Sequence, residues 1–230
     1  MTISGKLTGE ERRAAIIKAV RRVFAEKGFD ATTTRELAAA AGVSEALLFK
    51  HFPNKEALFS AMQLACCAEE DMGKYELLSA MEPSASTLVL LIHFLVSRTV
   101  GGRGDGEDGQ AIHLRLMLRS FVADGEFAQI FLSKLARDWV PKLADCLRAA
   151  VAAGDAVDEP DLPNLAGWFV HHLVTAVQFH LLPETPVVEY GLPRDKLVEQ
   201  VVRFSLRGLG LTEKAIRRCY NPRALSLFDR

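Results

Sequence analysis

Apolar residues along this chain recur at the three- and four-residue spacings that are typical of amphipathic helices. Ile16, Val20 and Phe24, for example, share one face of a helix that would end at Gly28. No run of alternating apolar and polar residues is long enough to indicate a strand. After two short helical segments we predict longer helices, separated mostly by Pro or Gly, near 55–80, 84–100, 111–122, 124–153, 161–182 and 194–209, and a further short one near 213–219. The pattern therefore predicts an all-α fold.

Four of the predicted helices are preceded by a residue whose side chain can cap the first turn. Thr8 and Thr33 are each followed three residues later by a glutamate, which is the pattern of a capping box. Ser44 and Asn54 precede the next two helical stretches and belong to the residue types preferred at the N-cap. These signals predict three N-terminal helices and a fourth that begins at Lys55.

Charge is distributed unevenly along the chain. The whole chain has 28 Lys or Arg and 29 Asp or Glu, which gives a net charge of −1. Residues 1–60 alone hold ten basic and seven acidic residues, whereas the remainder is net acidic. A mildly basic segment of this kind indicates, weakly, an anionic partner near the N-terminus.

Composition also bears on the cellular compartment. The longest dense apolar run, Leu88–Val96, has nine residues, and a membrane helix needs about 20. Residues Met1–Gly9 lack the apolar stretch of a secretory signal. The four cysteines, at 66, 67, 146 and 219, include no C-x-x-C pair and are expected to be reduced thiols. We therefore expect a cytoplasmic protein with no membrane partner.

Residues 33–52 combine a short helix, a turn at Gly42 and a second short helix, which is the spacing of a helix-turn-helix. In that unit the first helix braces the second, whose exposed side enters the major groove of DNA. The pattern predicts a buried seam made by Leu37, Ala38, Val43, Leu48 and Phe52. The residues predicted to face outward are Glu45, Ala46, Phe49 and Lys50. An ordinary helical hairpin has the same spacing, and geometry alone does not separate the two.

Several short motifs in and around this unit are specific in combination. They are Leu37-Ala38, Ala41-Gly42-Val43-Ser44, His51-Phe52-Pro53 and Lys55-Glu56-Ala57-Leu58, with Arg13–Ile17 and Phe24–Phe29 upstream. Together they resemble the DNA-binding domain of TetR-family (TetR/AcrR-like) transcriptional regulators. The resemblance covers about residues 8–60, whereas the rest of the chain is similar only in size and helical character.

The resemblance implies a set of DNA-contacting residues. They are Thr33, Thr34, Arg35, Ser44, Glu45, Ala46, Leu47, Phe49, Lys50, His51 and Lys55. Thr33, Thr34 and Lys55 match positions that meet phosphates, and a helix N-terminus favours an anion independently. Arg35 matches a position that reaches a phosphate or a base edge, and Ser44 matches the start of the recognition helix.

Three of these positions have features that bear on sequence preference. Phe49 stands where the family usually has Tyr, so a phenolic hydrogen bond to phosphate is missing. Glu45 can accept a hydrogen bond from cytosine N4, or can simply be a favourable acid in the first helical turn. Leu47 can contact a thymine methyl, or can pack inward.

The C-terminal part of the chain offers a dimerisation surface. The helix at 161–182 is apolar on nearly all sides, so it must be buried on more than one of them. The helix at 194–209 adds small residues that permit close approach. The resemblance implies that these two helices from each of two protomers form a homodimer interface, and an intramolecular core is the alternative from sequence alone.

The predicted helices at 84–100, 111–122 and 124–153 could enclose a pocket for a small apolar effector with one or two polar anchors. The candidate lining residues are His93, His113, Met117, Phe121, Trp139, Phe169, His172 and Phe179. Aromatic and Met residues at helical spacing are more often ordinary core, which remains the alternative for each of them.

No catalytic residue, cofactor or metal site is predicted. His171 and His172 are adjacent and so diverge on a helix, unlike a zinc-binding pair at i and i+4. The five-glycine segment 101–109 formally contains G-x-G-x-x-G, but its acidic residues would repel a pyrophosphate, and we interpret it as a mobile loop. Cys66-Cys67 is interpreted as a buried pair rather than a redox sensor, because acidic neighbours oppose thiolate formation.

The sequence thus predicts residues 1–58 as a three-helix helix-turn-helix domain, with the recognition unit at 33–52. Residues 59–230 would form a larger helical domain for effector binding and dimerisation. The hypothesis is a ligand-responsive repressor that binds a palindromic operator in double-stranded DNA as a homodimer and is released by the effector. The alternatives are a DNA-binding dimer without an effector, and a helical ligand carrier or enzyme that no longer binds an operator.

Overall fold

The computed structural model describes residues 7–68, 72–101, 107–159 and 161–225. Within these ranges the regular structure is helical, apart from one isolated antiparallel bridge between Ala156 and Leu211. The helices are α1 (Gly9–Lys27), α2 (Thr34–Ala40), α3 (Glu45–His51), α4 (Lys55–Ala68), α5 (Met72–Ala80), α6 (Ala85–Val100), α7 (Glu107–Val122), α8 (Glu126–Ala152), α9 (Leu162–Leu181), α10 (Arg194–Gly208), α11 (Glu213–Cys219) and α12 (Pro222–Leu225). The predicted all-α fold is confirmed.

The predicted caps start the first four helices. Thr8 and Thr33 both form complete capping boxes, in which the threonine and the glutamate three residues later satisfy each other's backbone N–H. The Ser44 side chain caps α3, and Asn54 Oδ1 accepts a 2.8 Å hydrogen bond from the backbone N–H of Ala57. Each such cap satisfies a helix donor that would otherwise be unpaired, and contributes about 1 kcal/mol.

Helices α4 and α5 both lie within the stretch predicted as one helix at 55–80, and residues 69–71 between them lie outside the described residues. One stretch differs from the sequence-based expectation, because the segment predicted as a loop at 101–109 is helical from Glu107 onward. The rest of that loop, residues 102–106, and the side chains of Cys66-Cys67 lie outside the described residues.

The chain divides into two compact units. The first contains α1 to α4, most of α7, and α8 through Phe131. Its centre is the apolar face of α1, where Ile16, Val20 and Phe24 are all buried. The Phe24 ring lies 4.9 Å from the ring of Phe59 on α4, measured between centroids. The apolar residues that recur at helical spacing on α1 therefore form the face on which α2, α3 and α4 pack.

The second unit is built around α6 and contains α5, the rest of α8 from Leu132, and α9 to α12. Helix α6 contacts α5, α9, α10 and α11. This explains why the Leu88–Val96 run is apolar on nearly every side, since a helix surrounded by others buries its whole circumference. Among the described helices, none has both the length and the apolar composition needed to cross a membrane.

The two units do not coincide with the predicted domains 1–58 and 59–230. Most of α7 and the beginning of α8 group with the N-terminal helices. The side chain of Arg119 on α7, for instance, donates to the backbone carbonyls of Ala25 and Glu26 at the end of α1. The division after residue 58, between a DNA-binding part and an effector-binding part, stays a prediction.

Candidate nucleic-acid interface

Helices α2 and α3 form a compact pair joined by a turn with glycine at its centre. Gly42 has φ +64°, a conformation that side chains disfavour. Open space lies where its Cβ would be, so backbone conformation rather than crowding accounts for glycine here. The Val43 N–H donates to the Ala38 carbonyl at 3.0 Å. The turn therefore directs α3 away from α2 within the four residues 41–44.

The predicted seam and the predicted outer face of this pair are both found. Four seam residues, Leu37, Ala38, Leu48 and Phe52, are at most 3% exposed, and Val43 is half-buried. The outer residues Glu45, Ala46, Phe49 and Lys50 are all exposed. Phe49 leaves 42% of its surface accessible, which is unusual for a phenylalanine and marks this face as one without an internal partner.

The beginning of α2 is held by an ionic and hydrogen-bonded cluster. The Glu36 carboxylate accepts from the Thr33 backbone N–H at 2.9 Å and from the Lys27 ammonium at the end of α1. The hydrogen bond from Lys27, followed by the one from the Thr33 N–H, lowers the pKa of Glu36 to about 2. The carboxylate therefore stays ionised at neutral pH and fixes α2 to the end of α1.

A hydrogen bond also joins the first residues of α2 and α3. Thr34 Oγ1 donates to Glu45 Oε2 at 2.8 Å. Thr34 is half-buried and Glu45 is exposed. The family resemblance implies that the Thr34 hydroxyl meets a DNA phosphate, whereas in this structure its hydrogen is directed to the Glu45 carboxylate.

Arg13 on α1 holds the end of α3, a role that the sequence did not reveal. Its guanidinium donates to the His51 carbonyl at 2.6 Å and lies 4.1 Å from the centre of the Phe52 ring. A cation at a helix C-terminus is favoured by the helix dipole. The contact spans 38 residues of sequence, so no local pattern could have predicted it.

Lys55 points into the protein rather than away from it. Its ammonium donates to the carbonyls of Phe29 at 2.9 Å and Thr32 at 3.0 Å, and lies 4.1 Å from the Phe29 ring centre. These contacts join the start of α4 to the α1–α2 connection. A phosphate contact by Lys55, which stays a prediction, would have to use its third donor or displace one of these bonds.

The remaining predicted contact residues differ in their exposure to solvent. Arg35 and Lys50 are exposed and have no hydrogen-bond or ionic partner among the residues that the structure describes. Thr33 and Ser44 are exposed N-caps, and Leu47 and His51 are half-buried. The exposed residues of the α2–α3 pair therefore include two cations, one carboxylate and an aromatic ring.

The eight predicted effector-lining residues are not brought together in one unit. His113, Met117 and Phe121 lie on α7 in the first unit, and the other five lie in the second. The half-buried His113 ring packs 5.3 Å from the ring of Phe127 and 4.8 Å from that of Phe131, so it contacts aromatic neighbours within the first unit. Phe121 and Phe169 are 52% and 55% exposed. An open pocket of about 550 Å³ on the first unit has a different lining, of Arg22, Ala25, Glu26, Arg115, Leu118 and Arg119.

The remaining four candidates in the second unit have varied surroundings. His93 is 3% exposed and its Nε2 lies 3.3 Å from the Ser97 hydroxyl. Trp139 stacks on Phe94 with ring centres 5.9 Å apart. His172 is exposed and Phe179 half-buried. Their part in effector binding stays a prediction.

Helices α9 and α10, predicted to form a dimer interface, each leave apolar side chains uncovered. Leu165 and Phe169 on α9 are 43% and 55% exposed, and Phe204 on α10 is 66% exposed. His171 on α9 is buried, and that burial, with the nearby His172 as a smaller cause, lowers the pKa of His171 to about 4. His171 is therefore neutral at pH 7.

Comparison with known proteins is informative mainly for the first unit. The profile of a family described as "Bacterial regulatory proteins, tetR family" matches residues 16–62. An HTH-type transcriptional repressor of Mycobacterium tuberculosis, Rv1474c, is 47% identical over 51 residues, which are 22% of this chain and 27% of that protein. The repressor AcnR of Corynebacterium diphtheriae is 43% identical over 51 residues, with the same coverage. The chain thus matches about a quarter of the length of these relatives.

Solved structures share the fold over a larger part of the chain. AibR, solved in complex with isovaleryl coenzyme A and operator DNA, superposes with a TM-score of 0.60 at 18% identity, covering 84% of this chain and 97% of AibR. FadR from Bacillus subtilis, solved with stearoyl-CoA, also has a TM-score of 0.60, at 19% identity, covering 85% of this chain and 98% of FadR. At these identities the likeness concerns the fold alone.

Proposed function

We propose that this chain is a ligand-responsive transcriptional repressor. It belongs, through residues 16–62, to the tetR family of bacterial regulatory proteins. It binds a palindromic operator as a homodimer and is released by a small apolar effector. The observation that carries the proposal is the α2–α3 pair, whose seam is buried while Arg35, Phe49 and Lys50 are exposed, the two cations without a partner among the described residues.

The chemistry of that outer face fits duplex DNA. Arg and Lys contact phosphates and the acceptor atoms of guanine, and a solvent-exposed aromatic ring can contact sugars or a thymine methyl. The face is carried by two short helices whose positions are fixed by the contacts of Lys27, Arg13 and Lys55. A rigid face of this kind can enter one major groove without first being ordered.

Dimerisation supplies the second DNA-binding face. The exposed apolar side chains of Leu165, Phe169 and Phe204 support pairing through α9 and α10, since an interface removes such side chains from water. A two-fold dimer places two recognition helices in successive major grooves, about 34–36 Å apart, and so requires a palindromic site.

Acyl-coenzyme A thioesters, in which an apolar acyl chain is joined to a large anionic coenzyme A, are a second class of effector to test beside small apolar molecules. AibR and FadR, which share this fold, were solved with isovaleryl coenzyme A and stearoyl-CoA. If the effector binds more tightly to a dimer whose two DNA-binding faces are wrongly spaced for the operator, it shifts the population toward that dimer. The affinity for operator DNA then falls by linkage. In a mobility-shift assay on the selected operator, saturating acyl-CoA should release the protein, while coenzyme A alone serves as the control.

The proposal is tested by selecting genomic fragments with the purified protein and sequencing them. We expect a shared palindromic motif with half-sites about one helical turn apart. Enrichment of fragments without a common motif would contradict the proposal. Operator affinity that stays constant at saturating concentrations of a panel of acyl-CoA chain lengths would reject that effector class.

A DNA-binding dimer without an effector is a second candidate. It is favoured by the exposure of Phe121 and Phe169, two of the residues predicted to line an effector pocket. In that case a broad lipophilic library would leave the melting temperature unchanged, because a ligand stabilises the folded state only by binding it.

A further inference from the structure

The bond between Thr34 and Glu45 fixes a carboxylate at the start of the recognition helix. Thr34 Oγ1 donates to Glu45 Oε2 at 2.8 Å. The other carboxylate oxygen, Oε1, has no hydrogen-bond partner among the residues that the structure describes, and Glu45 is exposed. One oxygen is therefore held by the protein while the other remains available to a donor from outside.

A free carboxylate is an unusual group on a face that would approach phosphates. An ionised carboxylate only accepts hydrogen bonds, and the phosphate backbone repels it. A hydrogen bond to an ionised acceptor is shorter and stronger than one between neutral groups, so Thr34 orients the Glu45 side chain better than free rotation would. The free oxygen can therefore meet a hydrogen-bond donor but not a phosphate.

The major groove contains two exocyclic amino donors, cytosine N4 and adenine N6. Guanine and thymine present acceptor oxygens at the corresponding place, which a carboxylate repels. Adenine also carries the acceptor N7 beside its amino group, whereas cytosine has no such neighbouring acceptor. A carboxylate oxygen in the major groove therefore favours cytosine over the other three bases.

We infer that Glu45 selects a cytosine in each operator half-site and that Thr34 is the positioning residue that orients it. This inference rests on the proposed DNA-binding function and adds the base that one residue reads. It also gives the Thr34 hydroxyl a role different from the phosphate contact expected from the sequence, because its single hydrogen is already donated to Glu45.

The test is selection of binding sites from a random duplex pool by the full-length wild-type protein and three variants. Glu45→Gln keeps the length of the side chain, but its amide can donate and accept, which suits adenine N6 and N7. We expect the selected base at one half-site position to change from cytosine to adenine. Thr34→Val removes the hydroxyl at nearly constant shape, and we expect the preference for cytosine at that same position to fall at least threefold.

Glu56→Gln is the matched control, since Glu56 is also an exposed acid in the first turn of its helix and its replacement removes the same charge. It should select the wild-type motif. Urea unfolding of each variant shows whether it is folded before selection.

Three outcomes would overturn the inference. If Glu45→Gln and Thr34→Val select the wild-type base at every position, Glu45 reads no base. If those selections still yield a palindromic motif, the proposed function is unaffected. If Glu45→Gln is folded but binds no DNA at all, the role of Glu45 is structural. If the wild-type protein selects no motif, the proposed function fails and this inference fails with it.

Discussion

The Glu36 carboxylate is held ionised by neighbours from two helices. Its pKa is lowered from 4.5 to about 2 by hydrogen bonds from Lys27 and from the Thr33 N–H. A lowered pKa contributes stability that is present above the unfolded-state value and is lost as the pH falls toward the folded-state value. The contribution of Glu36 is thus complete at neutral pH and disappears between about pH 4.5 and pH 2.

We predict that Glu36→Gln lowers the free energy of unfolding at pH 7 and that the difference from the wild-type protein shrinks as the pH falls from 4.5 toward 2. Urea unfolding at a series of pH values measures this. Glu56→Gln, which removes a first-turn acid without these partners, is the matched control. A Glu36→Gln difference that is the same at pH 7 and pH 2.5 would contradict the assignment.

Lys50 and Lys55 have different surroundings although sequence resemblance placed both on DNA. Lys50 is exposed, whereas Lys55 donates to the Phe29 and Thr32 carbonyls. We predict that Lys50→Ala leaves stability unchanged and makes the salt dependence of operator binding shallower, by about one unit of slope if Lys50 meets one phosphate. Lys55→Met should instead cost about 1–2 kcal/mol of stability.

The two lysine variants are compared by urea unfolding and by operator titration at several salt concentrations. Equal stability of the two variants would show that the inward contacts of Lys55 contribute little. An unchanged salt slope for Lys50→Ala would show that the exposed face of α3 does not meet phosphates.

At the scale of helices, the turn that ends α1 depends on a conformation that glycine alone adopts easily. Gly28 has φ +82° with an extended ψ of 174°, a region that side chains essentially avoid. A Cβ there would also lie 2.9 Å from an Arg119 guanidinium nitrogen. That guanidinium is the group that binds the Ala25 and Glu26 carbonyls.

We predict that Gly28→Ala costs about 1–3 kcal/mol of stability. Gly42→Ala should cost about 1 kcal/mol, because φ is also positive at Gly42 but nothing lies near its Cβ. Chemical denaturation of both variants gives the comparison. Finding the Gly42 variant to be the less stable of the two would show that crowding by Arg119 and the extended ψ of Gly28 are unimportant.

The helices and the α2–α3 seam were predictable because their signals are local. Capping residues such as Thr33 and Ser44 act within three positions, and the apolar spacing of α1 sets its buried face without reference to distant residues. Both predictions are confirmed. The residues that hold the interface in place were not predictable, because Arg13 meets His51 over a separation of 38 residues and Lys55 turns inward to carbonyls that no pattern identifies.

The C-terminal predictions show the limit of periodicity more clearly. An apolar spacing predicts that a side chain faces away from water, but the same spacing serves a core, a pocket or an interface. His113 contacts two phenylalanine rings, whereas Phe169 is more than half exposed. Which residues line an effector site depends on how helices distant in sequence approach each other, and single-sequence patterns do not contain that information.

At the scale of the whole molecule, the proposed function requires a dimer. Phe204 on α10 is 66% exposed, and a charge placed there would have to be desolvated in an interface. We predict that Phe204→Glu converts a dimer into a monomer, as measured by light scattering during size-exclusion chromatography, and weakens operator binding. Val122→Glu, at an 88% exposed position on α7, is the control and should remain dimeric. A dimeric Phe204→Glu protein would place the interface elsewhere.

If two copies of the α2–α3 pair bind two half-sites of one operator, footprinting of the selected DNA with the wild-type protein should reveal both half-sites. At two salt concentrations we expect a discrete protected region, symmetric about a centre and spanning two successive major grooves, that persists at the higher salt. Binding that weakens strongly with salt and leaves no protected region would show only that a basic helical surface attracts DNA, and would contradict operator binding by a dimer.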